Sequence, residues 1–205
     1  MKFVLESKLV QGDRGEDRVA IERQRDVWVV AVADGAGGTG SGGAAAEFIC
    51  SRVSEAARSG TRGAESWSKV LRAIDEELVA DGLGGEATAV VVEIGDATVC
   101  GASVGDTEAW LFSSDQAREL TNHQNRKPLI GSARARPCAF GPVDACGRLL
   151  IATDGLFGYA TPAAIESVVR AGQLGETLTN LAASVALPSG AYRDDVAIVL
   201  GEWAS

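Results

Sequence analysis

The chain has a single histidine in 205 residues, and that scarcity removes most of the chemistry that proteins build on imidazole. A serine or cysteine nucleophile needs a base beside it, and no motif sets His123 next to one. A zinc site would have few ligands to draw on. The four cysteines, Cys50, Cys100, Cys138 and Cys146, include no CxxC pair, and their spacing suits neither zinc nor a disulfide framework. They read as small buried residues. Long apolar runs are also missing: nothing approaches the roughly 20 residues that span a bilayer. The N-terminus, Met1-Lys2-Phe3-Val4-Leu5-Glu6, has no apolar signal core, so no membrane association is expected and the location is expected to be cytoplasmic. Positive charge is short as well. A net charge of −9 repels phosphate backbones and argues against nucleic-acid binding. There is no internal repeat and no long linker, so a single domain over residues 1–205 is expected.

What is present is an ordinary globular composition, 46% hydrophobic and 23% charged. Residues 2–10, 18–23 and 27–33 read as strands. The run from Val27 to Ala33 is almost continuously apolar, as in a strand buried on both faces. A glycine-rich turn at 35–43 leads into a helix from 44 to 57. A second helix, 64–80, carries Trp67, Val70, Leu71, Ile74 and Leu78 as an apolar stripe. Strands follow at 87–94, 97–104 and 108–113. Residues 121–146 show little periodicity and read as a long loop with short pieces. A strand at 148–153, helices at 162–171 and 175–186, and a strand at 195–203 complete the chain. Strands and helices are segregated, which predicts α+β architecture: two antiparallel sheets sandwiched between helix pairs, in four layers.

Four aspartates share one context. Asp34 ends the buried strand and precedes Gly35. Asp154 ends the strand Leu149–Thr153 and precedes Gly155. Asp194 opens the last strand, and Asp106 lies between two strands in Val104-Gly105-Asp106-Thr107. Acidic residues at strand ends collect at one rim of a sheet, where they repel unless a cation neutralises them. Carboxylate oxygens suit magnesium or manganese. The competing reading is that Asp-Gly is a common turn dipeptide.

In order along the chain stand Gly15-Glu16-Asp17-Arg18, Val32-Ala33-Asp34-Gly35-Ala36-Gly37-Gly38, Gly85-Glu86-Ala87-Thr88-Ala89-Val90, Val104-Gly105-Asp106-Thr107, Ala152-Thr153-Asp154-Gly155-Leu156 and Arg193-Asp194-Asp195-Val196-Ala197. This set resembles the bacterial members of the protein phosphatase 2C family, over nearly the whole chain. The resemblance implies hydrolysis of phosphoserine or phosphothreonine in proteins by a metal-activated water at a binuclear manganese or magnesium site. By resemblance, Asp34 would bridge both ions, Asp154 and Asp194 would complete one, and Glu16 with the Gly35 carbonyl would serve the other. Asp17 would orient water at the metals. Asp195 stands where the family often has asparagine and is expected to be a neighbour rather than a ligand. The implied partner is a phosphorylated protein, with a serine/threonine kinase opposing the enzyme, and the chain is expected to be a monomer.

Three departures from the family pattern shape the rest. The phosphate-binding arginine expected four residues before Glu16 is Gly12. Arg14 could replace it, since residues two apart in an extended strand share a face; Lys8 and Arg18 have the same parity. The histidine that some members place after the Asp-Gly is Ala36, which leaves proton delivery to water. The flap aspartate of other members is missing from Leu120-Thr121-Asn122-His123, the flap itself is short, and Asp106 could instead share a third ion with Asp154. Two other readings stay open: a catalytically weak module that binds or regulates a phosphoprotein or kinase, and a hydrolase of small phosphate esters.

Overall fold

A computed structural model describes residues 2–12, 14–36 and 41–204. Gly37 and Gly38 of the expected glycine-rich turn, and Asp13 beside Arg14, lie outside the described residues. In chain order the elements are β1 (Lys2–Val10), β2 (Arg18–Gln24), β3 (Val27–Gly35), α1 (Gly42–Arg58), α2 (Ala64–Ala80), β4 (Ala87–Ile94), β5 (Thr98–Val104), β6 (Glu108–Phe112), β7 (Ala117–Glu119), β8 (Cys138–Asp144), β9 (Arg148–Ala152), α3 (Asp154–Phe157), α4 (Pro162–Val169), α5 (Leu174–Ser184) and β10 (Val196–Ala204). The strands form two five-stranded sheets, ordered β1-β10-β9-β6-β7 and β2-β3-β4-β5-β8, and every pairing is antiparallel.

The pleat explains why β3 is apolar throughout. Side chains alternate between faces. Val29, Ala31 and Ala33 pack under α1 and α2, while Val30 and Val32 point into the layer between the sheets. The other sheet repeats the pattern. Leu149 and Ile151 of β9 face the inter-sheet layer, whereas Leu150 and Ala152 face α4 and α5. Three stacked cores therefore separate four layers, as the segregated strands and helices predict. α2 buries Trp67, Leu71, Ile74 and Leu78 along one stripe. The indole Nε1 of Trp67 donates to Glu93 at 2.7 Å, so its polar edge is satisfied inside the core. The cysteines are all free; Cys50 and Cys100 are buried, Cys138 and Cys146 half-buried. Among the described residues, no helix is long and apolar enough to cross a membrane.

The structure corrects the sequence expectation in the 121–146 segment, where β8 is a seven-residue strand. It is the edge strand of its sheet, paired only with β5, and most of its residues are half or fully exposed. It also contains Gly141 and Pro142, which an edge tolerates and a central strand does not. The short β7 and α3 were likewise not expected.

Residues 131–135, which lead into β8, are held by a buried carboxylate on α2. Asp75 accepts from the amides of Gly131 (2.7 Å), Ala133 (3.0 Å) and Ala135 (2.8 Å). Removing it leaves three amides without their acceptor. Asp75→Ala is expected to lower unfolding free energy by about 2–4 kcal/mol, read by urea denaturation. A change under about 0.5 kcal/mol, the range of ordinary surface substitutions, would show that water replaces the carboxylate freely.

Candidate active site

The C-terminal ends of β3, β5 and β9 and the start of β10 meet at one rim of the sandwich. Each delivers one aspartate there: Asp34 within β3, Asp106 in the β5–β6 turn that joins the two sheets, Asp154 opening α3 after β9, and Asp194 just before β10. Asp34, Asp106 and Asp154 each present a carboxylate oxygen within 4.8 Å of the others, all three half-buried. Asp17 joins them through sheet register. Arg18 pairs with Ala33, so the residue before β2 continues opposite Asp34.

Asp17 is 1% exposed. One of its oxygens accepts from the Thr153 hydroxyl at 2.8 Å, and that hydroxyl in turn accepts from the Ala197 amide at 3.0 Å. The other oxygen, Oδ1, is buried and has no hydrogen-bond partner. A carboxylate oxygen buried beside other carboxylates needs a positive charge or a proton near it. Burial pushes the Asp34 carboxyl up from 3.8 to about 9, helped by the charges of Asp17 and Asp154. Burial likewise raises Asp17 to about 7, against the lowering effect of the Thr153 hydrogen bond. Asp154 is raised too, by burial and then by Asp106 and Asp194. The donor set is all oxygen, the orphaned Oδ1 asks for a cation, and the carboxylates converge. These residues fit hard divalent ions.

The linkage has a definite sign. Between 3.8 and the raised values, the folded chain holds protons that the unfolded chain has released, so rising pH favours unfolding. In chelator, the thermal midpoint is expected to fall from pH 6 to 9 as Asp17 and Asp34 lose their protons. Stabilisation by added manganese is expected to grow over the same range. A chelated protein whose midpoint rises with pH would contradict this account.

Gly35 and Gly155 serve close approach, and for Asp34-Gly35 and Asp154-Gly155 the turn reading fails on geometry. Neither Gly35 nor Gly155 has a positive φ. Instead, a Cβ on Gly35 would lie 2.3 Å from the Gly42 carbonyl carbon, where α1 begins against the end of β3.

Sequence reasoning missed the work of Asp195. Its Oδ1 accepts from the amides of Gly12 and Gly15, and its Oδ2 from that of Glu16. The carboxylate thus gathers the amides of Gly12, Gly15 and Glu16 around itself and sets Glu16 beside the start of α1, with the Glu16 Cγ near Gly43. Asp195 is a positioning residue, in keeping with its expected place as a neighbour.

The basis for Arg14 changes as well. Residues 14–17 belong to no strand, and Gly15 takes φ +65°. The extended geometry that put Arg14 and Glu16 on one face is absent, because the Asp195 clamp curls this segment. Arg14 is exposed and makes no hydrogen bond or ion pair among the described residues. Arg18 is committed elsewhere: it donates to Glu47 at 2.7 Å and to the Gly15 and Asp17 carbonyls. Lys8 sits within β1 opposite Ile198. His123 is exposed on a loop.

Two antiparallel sheets lie between helix pairs, with carboxylates gathered at one end. The sequence profile of protein phosphatase 2C matches residues 6–186, and the chain belongs to that family. Asp194 and Asp195 lie past the matched segment and join the rim through β10. Among solved structures, the fold is similar to the serine/threonine phosphatase Stp1 from Staphylococcus aureus (19% identity, TM-score 0.83, covering 100% of this chain and 96% of that one). It is also similar to the catalytic domain of the serine/threonine protein phosphatase PstP in complex with two manganese ions (16% identity, TM-score 0.81, 98% and 97% covered). The Mycobacterium tuberculosis phosphatase PstP/Ppp aligns over 100% of both chains, with 16% identity and a TM-score of 0.80. No curated protein sequence matches the chain.

Proposed function

We propose that residues 1–205 act as one catalytic domain that hydrolyses phosphoserine or phosphothreonine in proteins at a binuclear manganese or magnesium site. The observation that carries this reading is the convergence of the Asp34, Asp106 and Asp154 carboxylates, with the buried Asp17 beside Asp34 and its Oδ1 left without an N–H or hydroxyl donor. Asp34, Asp154 and Asp194 would hold one ion, Asp34 with Glu16 and the Gly35 carbonyl would hold the other, and Asp106 with Asp154 would offer a place for a third. The ions, when bound, supply an activated water and neutralise charge on the transferring phosphoryl group.

The chain's own residues do the rest. Thr153 fixes one oxygen of Asp17 and leaves the other aimed at the rim, where it orients water. Asp195 holds the amides of Gly12, Gly15 and Glu16 and so keeps Glu16 in its place. Ala36 stands where a proton-donating histidine would, which leaves protonation of the departing serine or threonine oxygen to solvent. A phosphorylated protein made by an opposing serine/threonine kinase is the natural substrate on this reading, met by a monomer in the cytoplasm. The test is turnover of a chromogenic phosphate ester and of a phosphothreonine peptide, each with manganese and after chelation. Activity is expected with metal and absent without it. Full activity in metal-free buffer would sink the reading, and failure to turn over any phosphate compound would favour a binding module.

A further inference from the structure

Residues 120–143 contain no aspartate or glutamate, in a chain that carries 28 acidic residues against 19 basic ones. The same segment carries Arg126, Lys127, Arg134 and Arg136, all exposed. The fold brings this acid-free stretch to the catalytic rim. The Asn125 carbonyl accepts from the Gly105 amide at 3.1 Å, and the Gln124 side chain donates to the Thr107 carbonyl at 3.0 Å, so the loop is tied on both sides of Asp106. Further along, Ile130 exchanges backbone hydrogen bonds with Ala87, the residue paired with Gly35. The Asp75 carboxylate then pins residues 131–135, and Cys138 re-enters the sheet opposite Ser103, at the rim end of β5. Both ends of the basic segment are therefore anchored beside the acidic centre.

Arg126 is the innermost of the four. Its Nη2 lies 3.6 Å from Asp106 Oδ2, too long for a direct hydrogen bond, and the side chain is 79% exposed. Among the described residues it donates no hydrogen bond and has only this long ion pair, whereas Arg18 is tied to Glu47 and two carbonyls, and Arg193 lies over the Tyr159 ring. We infer that this basic lip is a substrate-docking surface for phosphopeptides with acidic residues around the phosphoamino acid, and that Arg126 reaches the phosphate itself in place of the arginine lost at Gly12. The inference rests on the phosphatase reading and deepens it. Charge complementarity selects the partner. The chain as a whole is acidic, 28 acidic residues against 19 basic, so an acid-free basic stretch anchored at the rim offers such a peptide an attractive approach.

The test uses the full chain with manganese and phosphothreonine peptides of one core sequence, flanked by acidic, neutral or basic residues. At low salt, kcat/KM for the acidic peptide is expected to exceed that for the neutral one by about tenfold, carried by KM, and the preference is expected to collapse by about 0.5 M salt. Arg126→Gln is expected to remove the largest share of the preference, with R134Q and R136Q removing smaller, additive shares. Lys2→Gln, at the far end of β1, is expected to leave the ratio unchanged. Wild-type ratios within twofold across the three peptides, with the chromogenic ester still hydrolysed, would overturn the docking inference alone. Loss of preference in Lys2→Gln equal to that in Arg126→Gln would reduce it to net charge and overturn it too. No turnover of ester or peptide would remove the phosphatase reading and this inference with it.

Discussion

Asp34→Asn is expected to cut turnover by a factor on the order of 10³ while leaving the fold intact, and in chelator to raise the thermal midpoint. The two effects share one cause. Asp34 sits among Asp17, Asp154 and Asp194, whose charges all work to raise its carboxyl. Without a cation that arrangement strains the folded state. Asparagine keeps the shape, removes an acid whose ionisation the fold resists as pH rises towards 9, and brings an N–H that can donate to the orphaned Asp17 Oδ1, so the gain in chelator is largest at pH 9. The apoprotein gains from that exchange. The metal site loses the one carboxylate assigned to bridge both ions, so stabilisation by manganese is expected to shrink along with turnover. Thermal melts with and without manganese, beside steady-state kinetics, read both effects. Manganese-dependent turnover within tenfold of wild type would remove Asp34 from its assigned place. A lower midpoint in chelator would show that repulsion is not what Asp34 contributes.

The parts of this fold legible in the sequence are those with a local cause. The α2 stripe and the β3 and β9 runs follow directly from one-face or two-face burial. The strand-end positions of Asp34, Asp106 and Asp154 follow from the same runs, because the apolar pattern stops where each strand leaves the core. What escaped has a non-local cause. Asp75 and Asp195 are two acids among 28, and nothing near them in sequence marks them out. Their roles depend on amides 56–60 residues away for Asp75 and 179–183 residues away for Asp195. β8 escaped because an edge strand shows half its residues to water and so loses the alternation that betrays a buried one. Arg14 was placed by parity in an extended segment, and a distant carboxylate curls that segment. Arg126 could have been noticed from composition, since residues 120–143 form the longest stretch without an acid. Its proximity to Asp106 needed the fold.

Gly155→Ala tests whether the second Asp-Gly is built for close approach or for turning. A Cβ at position 155 would fall 1.8 Å from the Asp195 carbonyl oxygen and 3.2 Å from a Val196 methyl. The first contact is backbone just ahead of β10 and the second a β-branched methyl on its first residue, so neither is the far end of a flexible side chain. Gly155 has no positive φ, so alanine is acceptable there on backbone grounds alone and the whole cost is steric. Relief requires β10 to move away from α3. That shift would pull Asp194 from Asp154, loosen Asp195 from the Gly12, Gly15 and Glu16 amides, and disturb Ala197, whose amide donates to Thr153. The expected result is a loss of at least about 3 kcal/mol in unfolding free energy, at the upper end of what overpacking costs, together with loss of manganese-dependent turnover. Equilibrium urea unfolding and a metal titration measure the two halves separately. If stability falls by less than about 0.5 kcal/mol and turnover persists, the rim is soft enough to absorb a methyl group. The close seating of β10 against α3 would then not be what sets Asp154 and Asp194 side by side.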